Sequence, residues 1–290
     1  MLMPMATRNF GASEKQLKIR MKSVSSIGKI TKAMKMVAAS KMKGNLNRLE
    51  AGRYFGNQAV DMIFNCDTYM QKRAPDAPAN PRTLLVPLTS DKGLCGGTNS
   101  GIIRNVREFV NNSDRSRLSI FSVGDKGQAG LKRGMPDLLK VAISETSKPI
   151  NYPTVMAVSE MVQQHAEGTD KIVVFYNEFV SAIRSDIRQL ELMPRQRFLD
   201  TIKFCKLYEQ EIPDKNTSNP ALYELYVTSN LWVAFLNNAA SEESARITAM
   251  ENASKNAGEI LDKLSLQYNR ARQARITIEL VEIISGASAL

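Results

Sequence analysis

Apolar residues in the first part of the chain recur at steps of three and four. They fall at Leu17, Met21, Val24, Ile27, Ile30, Met34 and Val37. This spacing places them on one face of an α-helix. Ser13 and Gln16 have the spacing of a capping box, so we expect the helix to begin near residue 13. The pattern continues less regularly towards Ile63, because Gly44 and Gly52 lower helix propensity.

The middle of the chain alternates short apolar runs with amphipathic stretches. Runs rich in Val, Leu, Ile and Phe predict buried strands at 83–89, 119–124 and 171–179, with a possible edge strand at 186–193. Helical patterns lie between the runs, at 98–110, 126–132 and 152–166. Such alternation predicts a small α/β layer with a mainly parallel sheet. The prolines that end at Pro81 indicate a linker before it.

The last part of the chain predicts one very long helix. It starts with the favourable pair Asn219 and Pro220, and Gly258 is the only glycine before Gly286. Its second half has an apolar seam, interrupted only at Gln267, at Ala257, Ile260, Leu264, Ala271, Ala274, Ile278 and Val281. A helix this long without internal caps is typical of a coiled coil, and the first helix is the expected partner.

The C-terminal end of this helix differs from the rest because its apolar residues occupy all sides. They are Ile276, Ile278, Leu280, Val281, Ile283, Ile284 and Leu290. A helix that is apolar all round must be buried. We therefore expect another protein to surround this end.

These patterns predict an α/β fold in which both termini form a long antiparallel two-helix coiled coil beside a small α/β domain. The expected regions are an N-terminal coiled-coil helix at 13–70, a globular domain at 82–208 and a C-terminal coiled-coil helix at 220–290. No apolar run approaches the roughly 18 residues of a membrane span, so we expect no direct membrane insertion.

The positive charge of the chain is concentrated in the first helix. The formal net charge is +10, and the segment from Lys15 to Arg53 holds eleven Lys and Arg against one acid, Glu50. The rest of the chain is balanced. One surface therefore faces an acidic partner, which could be nucleic acid, an anionic membrane or an acidic protein.

Candidate chemistry is sparse. Cys66, Cys95 and Cys205 are far apart, and His165 is the only histidine, so we expect no catalytic triad and no metal site. The glycine-rich segment 90–97 follows a strand and could cradle phosphate, but it lacks the spacing of nucleotide-binding loops and predicts a tight turn. The adjacent Glu242 and Glu243 predict a solvated surface.

Two long segments resemble the gamma-subunit family of F-type ATP synthases. The first is ITKAMKMVAASKM at 30–42. The second runs from SARITAMENASKNA at 244–257 through YNRARQARITIEL at 268–280 to the final IISGASAL. The loop at 90–97 is also similar to this family. The NASKNA stretch and the chain's ending resemble the mitochondrial type, on the matrix side of the inner membrane.

The resemblance implies a non-catalytic rotor shaft, without cofactor or metal, that couples proton-driven rotation of a membrane ring to ATP synthesis. The implied partners are the alpha and beta subunits of the catalytic head, the delta and epsilon subunits of the central stalk, and the rotor ring. Contacts with the head are implied for Met34, Lys35, Arg246, Arg272, Gln273, Thr277 and Glu279. Contacts with the rotor ring are implied for Tyr208 and Glu209 in the foot, the part of the globular domain nearest the ring.

Two other functions remain compatible with the residues alone. A nucleotide-binding α/β enzyme would use the loop at 90–97, and its ATP binding would depend on Lys92. A basic coiled-coil adaptor for nucleic acid would use the segment 15–53 and bind with a steep salt dependence. The adaptor is disfavoured because only Tyr54 and Phe55, at the edge of that segment, could stack on bases.

Overall fold

The computed structural model of the chain describes residues 14–58, 80–146, 149–202 and 215–288. Helices in these ranges are α1 (Glu14–Arg53), α2 (Thr98–Asn111), α3 (Asp125–Lys132), α4 (Tyr152–His165), α5 (Arg195–Ile202) and α6 (Lys215–Ser288). The strands are β1 (Thr83–Pro87), β2 (Leu118–Val123), β3 (Leu139–Ile143), β4 (Lys171–Phe179) and β5 (Ser185–Leu192). The chain divides into two compact units, one with residues 1–36 and 249–290 and the other with residues 37–248.

The strands form a single five-stranded sheet in the order β3-β2-β1-β4-β5. Strands β1 to β4 pair in parallel, and β5 pairs antiparallel to β4 through a short turn. The helices α2, α3 and α4 connect the parallel strands, as such crossovers require. The predicted fold class, with two long terminal helices and a small, mainly parallel sheet, is confirmed.

Helices cover both faces of the sheet, which explains why its central strands are continuous apolar runs. Leu84 and Val86 of β1 face a core that also contains α4, α5 and the first part of α6. Leu85, between them, faces a second core with α2 and α3. All five residues of β1 are buried because successive side chains point to opposite faces of a strand.

In the larger unit, the end of α1 lies against α6 at positions with little or no side chain. A Cβ atom on Gly52 would lie 2.2 Å from Cδ1 of Leu236, and one on Gly56, in the helical turn that follows α1, would lie 2.1 Å from Cγ2 of Val233. The Asn45 side chain donates a hydrogen bond of 3.3 Å to the carbonyl of Ala239. A methyl group added at either glycine would therefore force a side chain of α6 to move.

In the smaller unit, the helix–helix seam differs from the predicted one. Leu17, Met21 and Val24 are buried or half-buried as expected, but Ile27 and Ile30 are more than half exposed, as is Val37 at the start of the larger unit. The inner positions belong instead to small residues, Gly28 and Thr31, with Ala38 continuing the series in the larger unit. The prediction was wrong there because it selected large apolar side chains, whereas close helix packing selects small ones.

The seam of α6 agrees with the predicted positions at Ala257, Leu264 and Ala271, which are buried or half-buried, and differs at the others. Ile260 is 46% exposed, and Leu261 takes the inner position. Tyr268 takes the inner position at the point where the predicted seam was interrupted by Gln267. Ala274, Ile278 and Val281 are exposed, contrary to the prediction.

One helix start and two short elements differ from the predictions. Helix α6 begins at Lys215, so Pro220 lies inside its second turn, where its missing N–H removes one hydrogen bond near the helix start. Strand β3 and helix α5 were not predicted, because both are short and only partly apolar. The predicted extension of α1 towards Ile63, and most of the linker before Pro81, lie outside the described residues.

Candidate functional site

The side chains at the first predicted contact with a partner are Met34 and Lys35 on α1. Met34 is half-buried, and the Lys35 Nζ atom lies 2.8 Å from a carboxylate oxygen of Glu251 on α6. The Lys35 side chain is 38% exposed, so it can meet both Glu251 and solvent. Sequence reasoning missed Glu251, since nothing in the spacing along the chain relates two residues on antiparallel helices.

A second ion pair joins the same two helices at the start of α1. Arg275 lies 2.6 Å from Glu14 and 3.3 Å from Glu279, which is one turn further along α6. A hydrogen bond with Glu14 raises the pKa of the Tyr268 hydroxyl. The predicted contact residue Glu279 is thus exposed but oriented by Arg275. These two ion pairs join α1 to α6 within the smaller unit.

Three further predicted contact residues occupy the exposed surface of α6. Arg272, Gln273 and Thr277 are all exposed. The Thr277 hydroxyl donates a hydrogen bond of 2.9 Å to the Gln273 carbonyl, within the helix. Residues one turn apart lie on one helix face, so Gln273 and Thr277 form a continuous polar strip.

Large apolar side chains are exposed on both helices. On α6 beyond Arg275 they are Ile276, Ile278, Leu280, Val281, Ile283 and Ile284, and each is more than half exposed. On α1 they are Ile19, Ile27, Ile30, Met36 and Val37. Such a density of exposed apolar side chains marks a surface for a protein partner. The same face of α1 carries lysines and arginines, of which all but Lys35 are exposed.

Arg246, in the larger unit, lies in a buried ion triad. Its guanidinium lies 2.5 Å from Glu242 and 2.7 Å from Glu243, one turn earlier on α6. The three side chains are only 10–11% exposed. Burial alone would lower the pKa of Arg246, but the hydrogen bonds and charges of the two carboxylates outweigh burial and raise it.

The prediction that Glu242 and Glu243 form a solvated surface was wrong. Both are buried, because each lies one helical turn from Arg246, at three and four residues' separation. This spacing was visible in the sequence and could have identified the triad. The two carboxylates also line a cavity of about 330 Å³, together with Lys41 and Arg48 of α1 and Asp91 of the neighbouring loop.

The loop at 90–97 is closed by its own hydrogen bonds. Asn99 at the start of α2 accepts from the Ser90 amide and donates to the Ser90 hydroxyl, at 3.0 and 2.7 Å. It also donates to the buried Cys95 sulfur. Leu94 and Gly96 have positive φ angles of 62° and 60°. The loop is therefore a tight turn, as predicted, and its first polar side chain is directed inward.

The remaining predicted contact residues, Tyr208 and Glu209, lie outside the described residues. So do Cys66 and Cys205. Across the ranges that the structure describes, none of the helices combines the length and the apolar character needed to cross a bilayer.

Comparison with known proteins matches nearly the whole chain to one family. The family model described as ATP synthase covers residues 13–290. The ATP synthase gamma chain of Pelagibacter ubique is 38% identical over 286 residues, which is 94% of this chain and 98% of that protein. The mitochondrial ATP synthase subunit gamma of Drosophila melanogaster is 38% identical over 281 residues, covering 96% of this chain and 91% of that protein.

Solved structures with a similar fold belong to mitochondrial ATP synthases. A chain in the central stalk and c-ring of the Tetrahymena thermophila enzyme is 43% identical, with a TM-score of 0.71 over 78% of this chain and 99% of that one. A chain of the Euglena gracilis enzyme has the same fold at 20% identity, with a TM-score of 0.73 over 95% of this chain and 94% of that one. The family match and the relatives at 38% identity show that this chain belongs to the ATP synthase gamma-chain family.

Proposed function

We propose that the chain is the central rotor shaft of a mitochondrial F-type ATP synthase and has no catalytic site of its own. It lies on the matrix side of the inner membrane and couples proton-driven rotation of the membrane ring to ATP synthesis in the alpha and beta subunits. The observation that carries this proposal is the exposed apolar end of α6, since an apolar helix end needs a surrounding partner. The central-stalk match at 43% identity supports it.

The shaft has two kinds of surface, one apolar and one basic, with different roles. The apolar end of α6 acts as a bearing, because apolar contact is non-directional and turning breaks few directional bonds. The exposed lysines and arginines of α1 meet acidic segments of the beta subunits. Head contacts are made by Met34, Lys35, Arg246, Arg272, Gln273, Thr277 and Glu279, and ring contacts by Tyr208 and Glu209. The delta and epsilon subunits complete the stalk.

The coupling of rotation to catalysis follows from the asymmetry of the shaft. A single shaft cannot make identical contacts with several equivalent catalytic subunits. Each rotor angle therefore stabilises a different conformation at each subunit, through differential contact energy. Chemistry takes place in the head, and the shaft sets its order.

The first test is affinity purification of the tagged full chain from its native source. We expect alpha and beta ATPase subunits to co-purify, and we expect no ATP hydrolysis by the chain alone. Replacing Lys92 with Ala should leave hydrolysis by the assembled complex unchanged, because the loop at 90–97 acts as a turn. Recovery of nucleic acid in place of ATPase subunits, or ATP turnover by the isolated chain, would refute the proposal.

A further inference from the structure

A row of polar side chains fastens α6 to the end of β4 and the turn that follows it. The row contains Asn237, Asn238, Ser241 and Ser244, and we call it the polar seam. These residues are between 0% and 8% exposed. Spacings of four and seven residues place Asn237, Ser241 and Ser244 on one helix face. Buried polar groups on a helix face are unusual unless each has a partner.

Every residue of the polar seam reaches across to the sheet. The Asn238 side-chain oxygen accepts from the Asn177 side-chain amide at 2.9 Å. The Ser241 hydroxyl donates to the Asn177 carbonyl at 3.2 Å. The Ser244 hydroxyl donates to the Ala182 carbonyl, in the β4–β5 turn, at 2.6 Å.

The Asn237 side chain forms hydrogen bonds that connect α1, β4 and α6. Its side-chain oxygen accepts from the Phe179 amide of β4 and from the Arg53 guanidinium, both at 3.3 Å. Arg53, in the last turn of α1, also donates to the Phe179 carbonyl at 3.2 Å. The Asn237 amide group donates at 2.9 Å to the Val233 carbonyl within α6. Both helices are thus bonded to the same strand end.

Hydrogen bonds resist motion that apolar packing permits. Apolar contact has no preferred direction, so two apolar surfaces can slide or turn past each other. A hydrogen bond weakens steeply as its angle and length change. A small rotation of α6 against β4 would break the hydrogen bonds of the polar seam at the same time. Each buried donor or acceptor that loses its partner in this way destabilises the rotated state. The seam therefore makes this joint stiff about the helix axis.

We propose that the polar seam, with Arg53, is the joint that transmits torque between the sheet and the helices of the shaft. The proposal rests on the rotor function proposed above and assigns to Asn237, Ser241 and Ser244 a positioning role within it. They touch neither nucleotide nor proton path. They keep the angle of α6 relative to the sheet fixed while the shaft is under load.

The test uses the assembled ATP synthase, in inner-membrane vesicles, with the triple substitution Asn237→Ala, Ser241→Ala and Ser244→Ala. We expect ATP hydrolysis to continue while ATP-driven proton pumping per ATP hydrolysed is largely lost. Hydrogen–deuterium exchange at 177–184 should become faster in the same complex, because the amide of Phe179 loses its acceptor and the carbonyls of Asn177 and Ala182 lose their donors. A loss of structure alone would lower hydrolysis and pumping together.

The matched control removes equivalent bonds that stay within α6. Asn230 donates to the Tyr226 carbonyl at 2.8 Å, and Thr248 donates to the Ser244 carbonyl at 3.3 Å. The double variant Asn230→Ala with Thr248→Ala should pump normally. Ser244→Ala alone is the milder variant if the triple variant does not assemble, and it should give a partial loss of pumping. Asn237→Asp keeps the acceptor for Arg53 and Phe179, so it should preserve coupling.

Several outcomes would overturn the proposal. Normal pumping per ATP despite faster exchange at 177–184 would mean that the seam only supports the fold. Unchanged exchange in the triple variant would mean that these side chains do not hold the joint. The unchanged chain is run in parallel, and if it fails to support pumping, the rotor function itself is refuted rather than the role of the seam.

Discussion

Arg246 shows how a single side chain can decide the charge balance of a buried region. Two carboxylates share its guanidinium, so removing it takes away the cation that faces both of them in a site that is about nine-tenths buried. Breaking a buried ion pair from one side is far more unfavourable than replacing the whole cluster by neutral groups. The triad therefore tolerates joint replacement better than single replacement.

We expect Arg246→Ala to lower the free energy of unfolding by about 3–5 kcal/mol. The neutral triple variant Glu242→Gln, Glu243→Gln and Arg246→Met should lose less, because the cation and both carboxylates are removed together. Urea unfolding of the full chain can be followed through its one tryptophan, Trp232. An equal loss in both variants would show that lost packing, rather than loss of the positive charge, is responsible.

The turn between β4 and β5 offers a test of local electrostatics. Hydrogen bonds from Arg184 at 2.8 and 2.9 Å hold the pKa of Asp186 below its usual value, with help from the charge of Arg188. A lowered pKa means that the pair stabilises the turn at neutral pH and that this contribution is lost as pH falls through the folded-state pKa.

Replacing Arg184 with Gln should therefore raise the Asp186 pKa towards the usual value of about 3.9. Part of the lowering should persist, because Arg188 remains. A carboxyl-carbon NMR titration measures this, and Asp186→Asn identifies the signal. An unchanged pKa in the Arg184 variant would exclude the pair as the cause.

At the scale of elements, two glycines of α1 should respond in opposite ways to replacement by alanine. Gly44→Ala should raise the free energy of unfolding by roughly 0.5–1 kcal/mol, because alanine favours helix and the added methyl group meets no atom within 4 Å. Gly52→Ala should lower it by roughly 1–3 kcal/mol, because its methyl group would meet Leu236 at 2.2 Å. Urea unfolding of the two variants gives the comparison, and the same sign for both would contradict the close approach.

The sequence predicts elements better than it predicts which face each element turns inward. Strands β1, β2 and β4 were identifiable because both faces of their central residues are buried, so apolar residues follow one another there. The seam of α1 was misplaced because Gly28, Thr31 and Ala38 carry no strong hydrophobic signal, although they fill the contact. Strand β3 was missed because most of its side chains are only partly buried.

Residues that make polar contacts also differ in how far the sequence predicts them. Gln273 and Thr277 were named only through the family resemblance, although their one-turn spacing along a helix relates them to each other. The bonds of Asn237 and Ser244 to the sheet join residues about 60 positions apart, and only the folded chain brings them together. Long-range polar contacts leave no periodic trace in a single sequence.

At the scale of the whole molecule, an ion-pair swap separates folding from coupling. Lys35→Glu places two carboxylates together, because Lys35 faces Glu251 at 2.8 Å. Adding Glu251→Lys restores the internal ion pair but keeps the reversed charge at position 35. If Lys35 contacts the acidic head, the swapped chain should assemble normally and still couple poorly.

Proton pumping per ATP hydrolysed is the measurement for these variants, and Arg272→Glu combined with the swap should deepen the defect. Arg272 is exposed, so reversing its charge has little effect on folding. Full recovery of coupling in the swapped chain would show that Lys35 serves the internal pair alone.

The small-residue seam of α1 has a consequence for how the protein is produced. Because Gly28 and Thr31 take the inner positions, Ile27, Ile30 and Val37 remain in water, as does the end of α6. A newly made chain with such a surface is prone to self-association at high concentration. Its synthesis must therefore be balanced against that of the proteins that cover it, and a surplus of the chain should accumulate as aggregates or be degraded.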